Sequence, residues 1–254
     1  MLTRVGLIGN PVDHSLSPRM QNAAFAAAGL DWEYVLLPTE DDEVEDTVRA
    51  LVDGFAGANV TVPHKAAVIP FLDELDAFAE RAGSVNTILV EQGRLLGSST
   101  DGLAVTGAID AAGERVLVLG AGGAARAVAT ALADAGALLR ISARRRPQAE
   151  ALAARLDAAV EDWPPQAGDA TVLVNATPLR DDVPVELETA PTVVDLAYRA
   201  DGESTALVAA ARAAGCTVVD GREVLVRQGA ASFERWTGVE APVEVMRAAV
   251  RRPV

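Results

Sequence analysis

Lysine is almost absent from this chain of 254 residues: Lys65 is the single example, and every other cation among the 22 basic residues is arginine. Cysteine also occurs once, at Cys216, which excludes an internal disulfide framework. Histidine occurs twice, at His14 and His64, with no third ligand at metal spacing, so no metal site is expected. No apolar run approaches the length of about 20 residues that spans a bilayer. The opening MLTRVGLIGNP carries one arginine and a short apolar run before turning polar, which reads as a first strand and not a secretion signal. Cytoplasm is the expected compartment. Positive charge is scarce overall: the formal net charge is −14, which argues against nucleic acid and anionic membrane as partners. The acidity fits either a high-salt surface or a genome that avoids lysine. An anionic ligand must in any case find a locally positive site within a negative field.

Half of the residues are hydrophobic, enough for a sizeable core in one large domain or two modest ones. Strands are expected at 4–9, 33–38 and 57–63, helices at 17–30, 43–52 and 65–82, and a hairpin over 84–97 that turns at Gln92-Gly93. Ser17 suits an N-cap, Pro18 the first helical position and Gly29 the helix end. Pro70 marks a break or kink in the third helix. From residue 102 the rhythm changes to strict alternation. Helices are expected at 102–112, 124–136, 147–157 and 204–215, and strands at 115–120, 138–143, 171–177, 192–198 and 216–221. Residues 223–251 read as amphipathic helix. Such alternation predicts an α/β architecture with a doubly wound parallel sheet.

The stretch RVLVLGAGGAARAVATALADAG fits G-x-G-x-x-A between a strand and a helix. Gly120 makes the tight turn, Gly122 lets backbone approach a pyrophosphate, and Ala125 permits close helix packing. The helix N-terminus supplies amide donors to the anion. The next strand ends in Ile141-Ser-Ala-Arg-Arg-Arg146, without the carboxylate that would hold the ribose 2′-hydroxyl of NAD. Arginines there suit the 2′-phosphate of NADP, which a guanidinium grips in bidentate fashion.

Lys65 follows a strand at the expected start of a helix, where a cation opposes the helix dipole, so helix stability does not explain it. Asp101 lies in GSSTDG at the seam between the two halves. Taken alone, either residue could be a solvated or turn-forming side chain.

The motifs GNPVDHSLSP (9–18), NVTVPHK (59–65), GSVNT (83–87), STDG (99–102), GAGGAARA (120–127), VNATP (174–178), DLAY (195–198) and DGREVLVRQGAASFERWTG (220–238), in this order, resemble the shikimate dehydrogenase family over nearly the whole chain. The resemblance implies two domains: 1–102 with 223–254 binds substrate and is closed by the C-terminal helices, and 103–222 is a Rossmann-type NADP domain. It implies NADPH-dependent, reversible reduction of 3-dehydroshikimate to shikimate, a step towards chorismate and the aromatic amino acids. Lys65 and Asp101 match the family's catalytic pair. Ser15 and Ser17 match its substrate-carboxylate contacts, with Tyr198 on the same side, and Thr61, Asn86 and Gln228 match positions that read the ring hydroxyls. Gly120, Ala121, Gly122, Gly123, Ala124, Asn175, Ala176, Thr177, Leu196 and Gly221 match cofactor positions, joined by Arg144 and Arg145. Asn59 either helps in the site or fixes its loop. Trp236 and Phe233 are read as core anchors.

The chain also departs from the family pattern. Gln21 stands where histidine is usual, Ser99 for asparagine, Ala104 and Arg180 for glycine, and Ala143 for asparagine. The segment after Tyr198 is about two residues longer than the common form. Two alternatives stay open: a relative that oxidises quinate as well as shikimate, using NAD, and a catalytically silent NADP-binding regulatory paralogue. Monomer and homodimer both fit the sequence.

Overall fold

Side chains of a β-strand alternate between the two faces of its sheet, and the apolar runs of this chain use both faces. In the computed structural model, which describes residues 2–187 and 192–251, Val116 and Val118 enter one hydrophobic cluster, and Leu117 and Leu119 enter another on the opposite face. These four belong to β7 (Arg115–Leu119). Val172 and Val174 of β10 (Val172–Asn175) divide from Leu173 in the same way. Strands so covered on both faces are those of a parallel sheet flanked by helices.

That sheet is completed by β8 (Leu138–Ser142), β9 (Ala159–Glu161), β11 (Thr192–Asp195) and β12 (Thr217–Val219). All its pairings are parallel, in the order β12-β11-β10-β7-β8-β9. Numbered from β7, this is the dinucleotide-fold order 3-2-1-4-5-6. The winding reverses between β7 and β10, and a ligand crevice is expected outside the carboxyl ends of those strands. Helices α5 (Gly123–Asp134), α6 (Arg146–Leu156) and α7 (Ala206–Ala213) follow β7, β8 and β11.

A second six-stranded sheet comprises β1 (Thr3–Gly9), β2 (Trp32–Pro38), β3 (Phe55–Val60), β4 (Glu74–Leu75), β5 (Thr87–Glu91) and β6 (Arg94–Ser98), ordered β2-β1-β3-β5-β6-β4. It is mixed: β1 runs parallel to β2 and β3, while β5 runs antiparallel to β3 and β6. The β5–β6 hairpin turns at Gln92 (φ 53°) and Gly93 (φ 76°), both left-handed, as a tight two-residue hairpin turn requires. Helices α1 (Ser17–Ala27), α2 (Val44–Ala50) and α3 (Ala77–Ala82) belong with this sheet. The C-terminal helices are α8 (Gly221–Thr237) and α9 (Val243–Arg251), and α9 packs on α1. Phe233 of α8 is fully buried and stacked on Phe25, with ring centroids 5.4 Å apart. Trp236 donates its indole N–H to the Ile88 carbonyl at 2.9 Å. No helix among the described residues is long and apolar enough to cross a membrane.

Contacts divide the chain into two compact units. One runs to Thr100 and resumes at Val226; the other is Asp101–Leu225. The divisions expected from sequence lie at 102/103 and 222/223. Asp101 belongs to the second unit by contact, and the later boundary falls inside α8.

Several sequence expectations fail for local reasons. Residues 65–82 are not one helix. They form turns, a 3₁₀ turn (Ile69–Phe71), β4 and the short α3. The Asp73 carboxylate accepts the Leu95 N–H at 2.7 Å, and β4 pairs with β6, so sheet pairing takes the segment that helical spacing suggested. Lys65 therefore lies in a turn, and the dipole argument does not apply to it. β3 stops at Val60, short of residue 63. The helix expected over 102–112 is α4 (Asp101–Thr106). β9 is a strand that no apolar run announced. Ser17 is not the N-cap of α1. Leu16 occupies that place, and the Ser17 N–H takes its partner from Ser15 Oγ at 3.2 Å.

Candidate functional site

The glycine turn sits where the second unit reverses its winding. Gly120 follows β7 with φ 111°, a conformation side chains rarely adopt, and a Cβ there would meet the Ala176 carbonyl oxygen at 3.0 Å. The turn therefore lies directly against the segment that leaves β10. A Cβ on Gly122 would meet nothing within 4 Å, so the space above that backbone is open. Gly122 precedes α5, and no side chain caps the helix. Uncapped first-turn amides, a positive dipole end and open space are what a phosphate group needs.

At the end of β8 the three arginines separate into two kinds. Arg146 is bound by Glu150 at 2.8 Å and by Asp162, acids that raise its pKa. Arg144 and Arg145 are exposed, and among the described residues their guanidinium groups meet no acid. In a chain of net charge −14, these two cations at the end of β8 are a local concentration of positive charge that no acid among the described residues offsets.

The carboxyl ends of β10 and β11 carry a buried polar cluster. Asn175, paired in register with Asp195, donates its Nδ2 to Asp195 Oδ1 at 2.8 Å. The Asn175 Oδ1 then accepts from the Thr177 N–H at 3.1 Å and from the Thr177 hydroxyl at 2.6 Å. Asp195 also accepts from the Ala197 N–H at 3.0 Å and the Thr205 hydroxyl at 2.6 Å. Burial pushes the Asp195 carboxyl up from its ordinary value to about 6, against the pull of those three donors, and the Asp220 charge adds to the rise. Leu196 donates its N–H to the Asn175 carbonyl at 2.9 Å. Gly221 has no room for a side chain, since a Cβ would lie 2.1 Å from the Ala197 oxygen. Asn175, Thr177, Leu196 and Gly221 are thus brought together around the same strand ends. Tyr198 is half-buried just beyond them.

In the first unit Lys65 is half-buried in the turn that leaves β3. Its carbonyl accepts the Val85 N–H at 2.8 Å, and the neighbouring His64 is buried with Nε2 2.8 Å from the Thr39 carbonyl. A carbonyl only accepts, so this contact places a proton on Nε2. His64 anchors the turn, a role the sequence did not reveal. Thr61 donates its N–H to Ile8, and its methyl fills the space where a Cβ on Gly9 would fall.

Asn86 is buried and reaches α8 by donating Nδ2 to Gln228 Oε1 at 3.3 Å. Ser232, one turn further along α8, is fully buried. Its hydroxyl meets Asn59 Nδ2 at 3.0 Å, Thr87 Oγ1 at 2.8 Å, Thr100 Oγ1 at 3.3 Å and the Gln228 carbonyl at 3.1 Å. Asn59 is held further by the Tyr34 hydroxyl at 2.9 Å and the Asn86 carbonyl at 2.9 Å. Ser15 and Ser17 adjoin the start of α1. Asp101 is buried in the first turn of α4, in the second unit. Ser232, Thr87, Thr100, Asp195 and Thr205 were not singled out from sequence. Only Asp195 left a signal there, as an acid ending the apolar run TVVD.

A family model of the shikimate dehydrogenase substrate binding domain matches residues 7–88, and one of the shikimate 5′-dehydrogenase C-terminal domain matches residues 221–251. A curated relative named shikimate dehydrogenase (NADP(+)), from Rubrobacter xylanophilus, is 46% identical over 97% of this chain and 94% of its own. A crystal structure of a shikimate dehydrogenase in complex with NADP+ superposes with a TM-score of 0.91 at 33% identity, covering 98% of this chain and 94% of that one. The Thermus thermophilus shikimate 5-dehydrogenase, solved in complex with NADP(H) and shikimate, gives a TM-score of 0.89 at 35% identity over 99% and 100% of the two chains.

Proposed function

Because the chain belongs to the shikimate dehydrogenase family, we propose that it interconverts 3-dehydroshikimate and shikimate with NADPH and NADP, using Lys65 and Asp101 as its acid–base pair. The observation that carries the cofactor half is the pairing of the open glycine turn with two unneutralised arginines, Arg144 and Arg145. The residues suit the group: the backbone of Gly120–Ala124 for the pyrophosphate, the two arginines for the 2′-phosphate, and Asn175–Thr177, Leu196 and Gly221 for the nicotinamide end. NADPH, when bound, supplies the hydride for the C3 carbonyl.

The chain's own residues supply the rest. Reduction leaves negative charge on the former carbonyl oxygen, and the Lys65 ammonium donates the proton that completes the alcohol; in reverse, the amine accepts it. A positioned acid–base group is worth roughly a hundred- to ten-thousand-fold in rate. Asp101 orients the ammonium and hydrogen-bonds a ring hydroxyl. Ser15, Ser17 and Tyr198 hold the substrate carboxylate, while Thr61, Asn86 and Gln228 read the hydroxyls. The domain of residues 1–102 and 223–254 binds substrate, and 103–222 binds cofactor. The cytoplasm is the setting.

Nicotinamide absorbance with shikimate or quinate, each tried with NADP and NAD, tests this reading. Turnover of shikimate with NADP above the other three combinations supports it. Preference for quinate with NAD, or NADP binding without turnover of either substrate, contradicts it.

A further inference from the structure

We propose that Asp195 is a positioning residue for the cofactor: its buried carboxylate sets the Asn175 amide and the Ala197 backbone, and so shapes the two segments at the strand ends beside the glycine turn. The inference rests on the cofactor reading above.

Asp195 is fully buried, and its described partners are all neutral: Asn175 Nδ2, the Ala197 N–H and the Thr205 hydroxyl. A buried anion without a cation is costly and would not be kept for packing alone. Its three bonds decide three separate things. An ionised carboxylate only accepts, so Asn175 must turn Nδ2 towards it and Oδ1 away. That Oδ1 then gathers the Thr177 N–H and hydroxyl and bends the chain after β10, so that the Ala176 carbonyl lies against Gly120. The bond to the Ala197 N–H bends the chain after β11. Gly221, which has no side chain, fits its backbone hard against the Leu196 and Ala197 carbonyls there. The bond to Thr205 ties down the residue whose Oγ1 also accepts from the Val208 N–H at the start of α7. The Asn175–Thr177 and Leu196–Gly221 groups therefore share one anchor.

The test compares Asp195→Ala, Asp195→Val and Asp195→Asn with wild type, measuring NADPH and shikimate dissociation constants by titration. Alanine and valine remove every acceptor, and valine, β-branched and larger, leaves no cavity, so it serves if the alanine form does not fold. Asparagine keeps a carbonyl oxygen that Asn175 and Ala197 can both use. The alanine and valine forms should bind NADPH about tenfold or more weakly, the scale of losing a buried hydrogen-bond acceptor. The asparagine form should stay within about threefold, and shikimate affinity should hold within about threefold in all. A merely structural role would lower melting temperature without this split. Wild-type NADPH affinity in the alanine and valine forms, an equal loss in the asparagine form, or a parallel loss of shikimate affinity overturns the inference. A wild-type protein that binds no NADPH contradicts the cofactor reading instead.

Discussion

The backbone N–H of Thr100 donates to Asn86 Oδ1 at 2.8 Å. A backbone amide cannot accept, so the bond fixes which way the Asn86 amide faces. Nδ2 is left to face Thr100 Oγ1 at 2.9 Å and Gln228 Oε1 at 3.3 Å. The residue immediately before Asp101 thus holds in place an asparagine assigned to substrate reading, and Ser232 locks the same cluster from α8.

Ser232→Ala should lower stability by about 1–3 kcal/mol, the range for leaving buried polar partners unpaired. Urea unfolding monitored by tryptophan fluorescence gives the number. No change would mean that Asn59, Thr87 and Thr100 find other partners without cost.

Asp195 makes stability depend on pH with a sign opposite to that of an ion-paired acid. Its folded-state pKa, about 6, lies above the ordinary 3.8. Its contribution is therefore fully present below about pH 4 and is lost as pH rises through about 6. Asp220 is the acid acting on it and is itself met by Arg212 at 3.1 Å. Relative to Asp195→Asn, the wild type should gain about 1 kcal/mol between pH 7 and pH 5. Urea unfolding of both proteins at the two pH values measures it. A difference that stays flat, or falls, on acidification would contradict the buried anion.

Arg144→Ala combined with Arg145→Ala should weaken NADP relative to NAD by about 1–3 kcal/mol, the scale of charge-assisted bonds. Fluorescence titration with both cofactors checks it. Arg146→Ala should shift this selectivity less, because Glu150 and Asp162 already neutralise that side chain. Unchanged selectivity in the double variant would make the two arginines bystanders.

The second unit is largely legible in the sequence because its signals are local. RVLVLGAGG announces strand, turn and helix within one window, and alternating helices and strands imply the parallel sheet. Gln92-Gly93 announces its hairpin for the same reason. The segment 65–82 misleads because its apolar spacing is helical while its fate is decided by β6, a strand some twenty residues later. β9 has three residues and no apolar run, and it exists because β8 offers an edge. The Ser232 cluster gathers residues 59, 86, 87, 100 and 232 from distant parts of the chain, and no single window holds enough of it to read. Lys65 stands out by composition alone. Its turn and the His64 anchor become visible only with the Thr39 carbonyl in place.

The proposed proton transfer is tested most directly on Lys65→Ala beside wild type, with kcat for shikimate oxidation by NADP and shikimate affinity by calorimetry. A residue acting chiefly in the transition state should lose about a hundred- to ten-thousand-fold in kcat while shikimate affinity changes only a few-fold. Wild-type turnover in the variant, or a loss confined to binding, would contradict the assignment of Lys65.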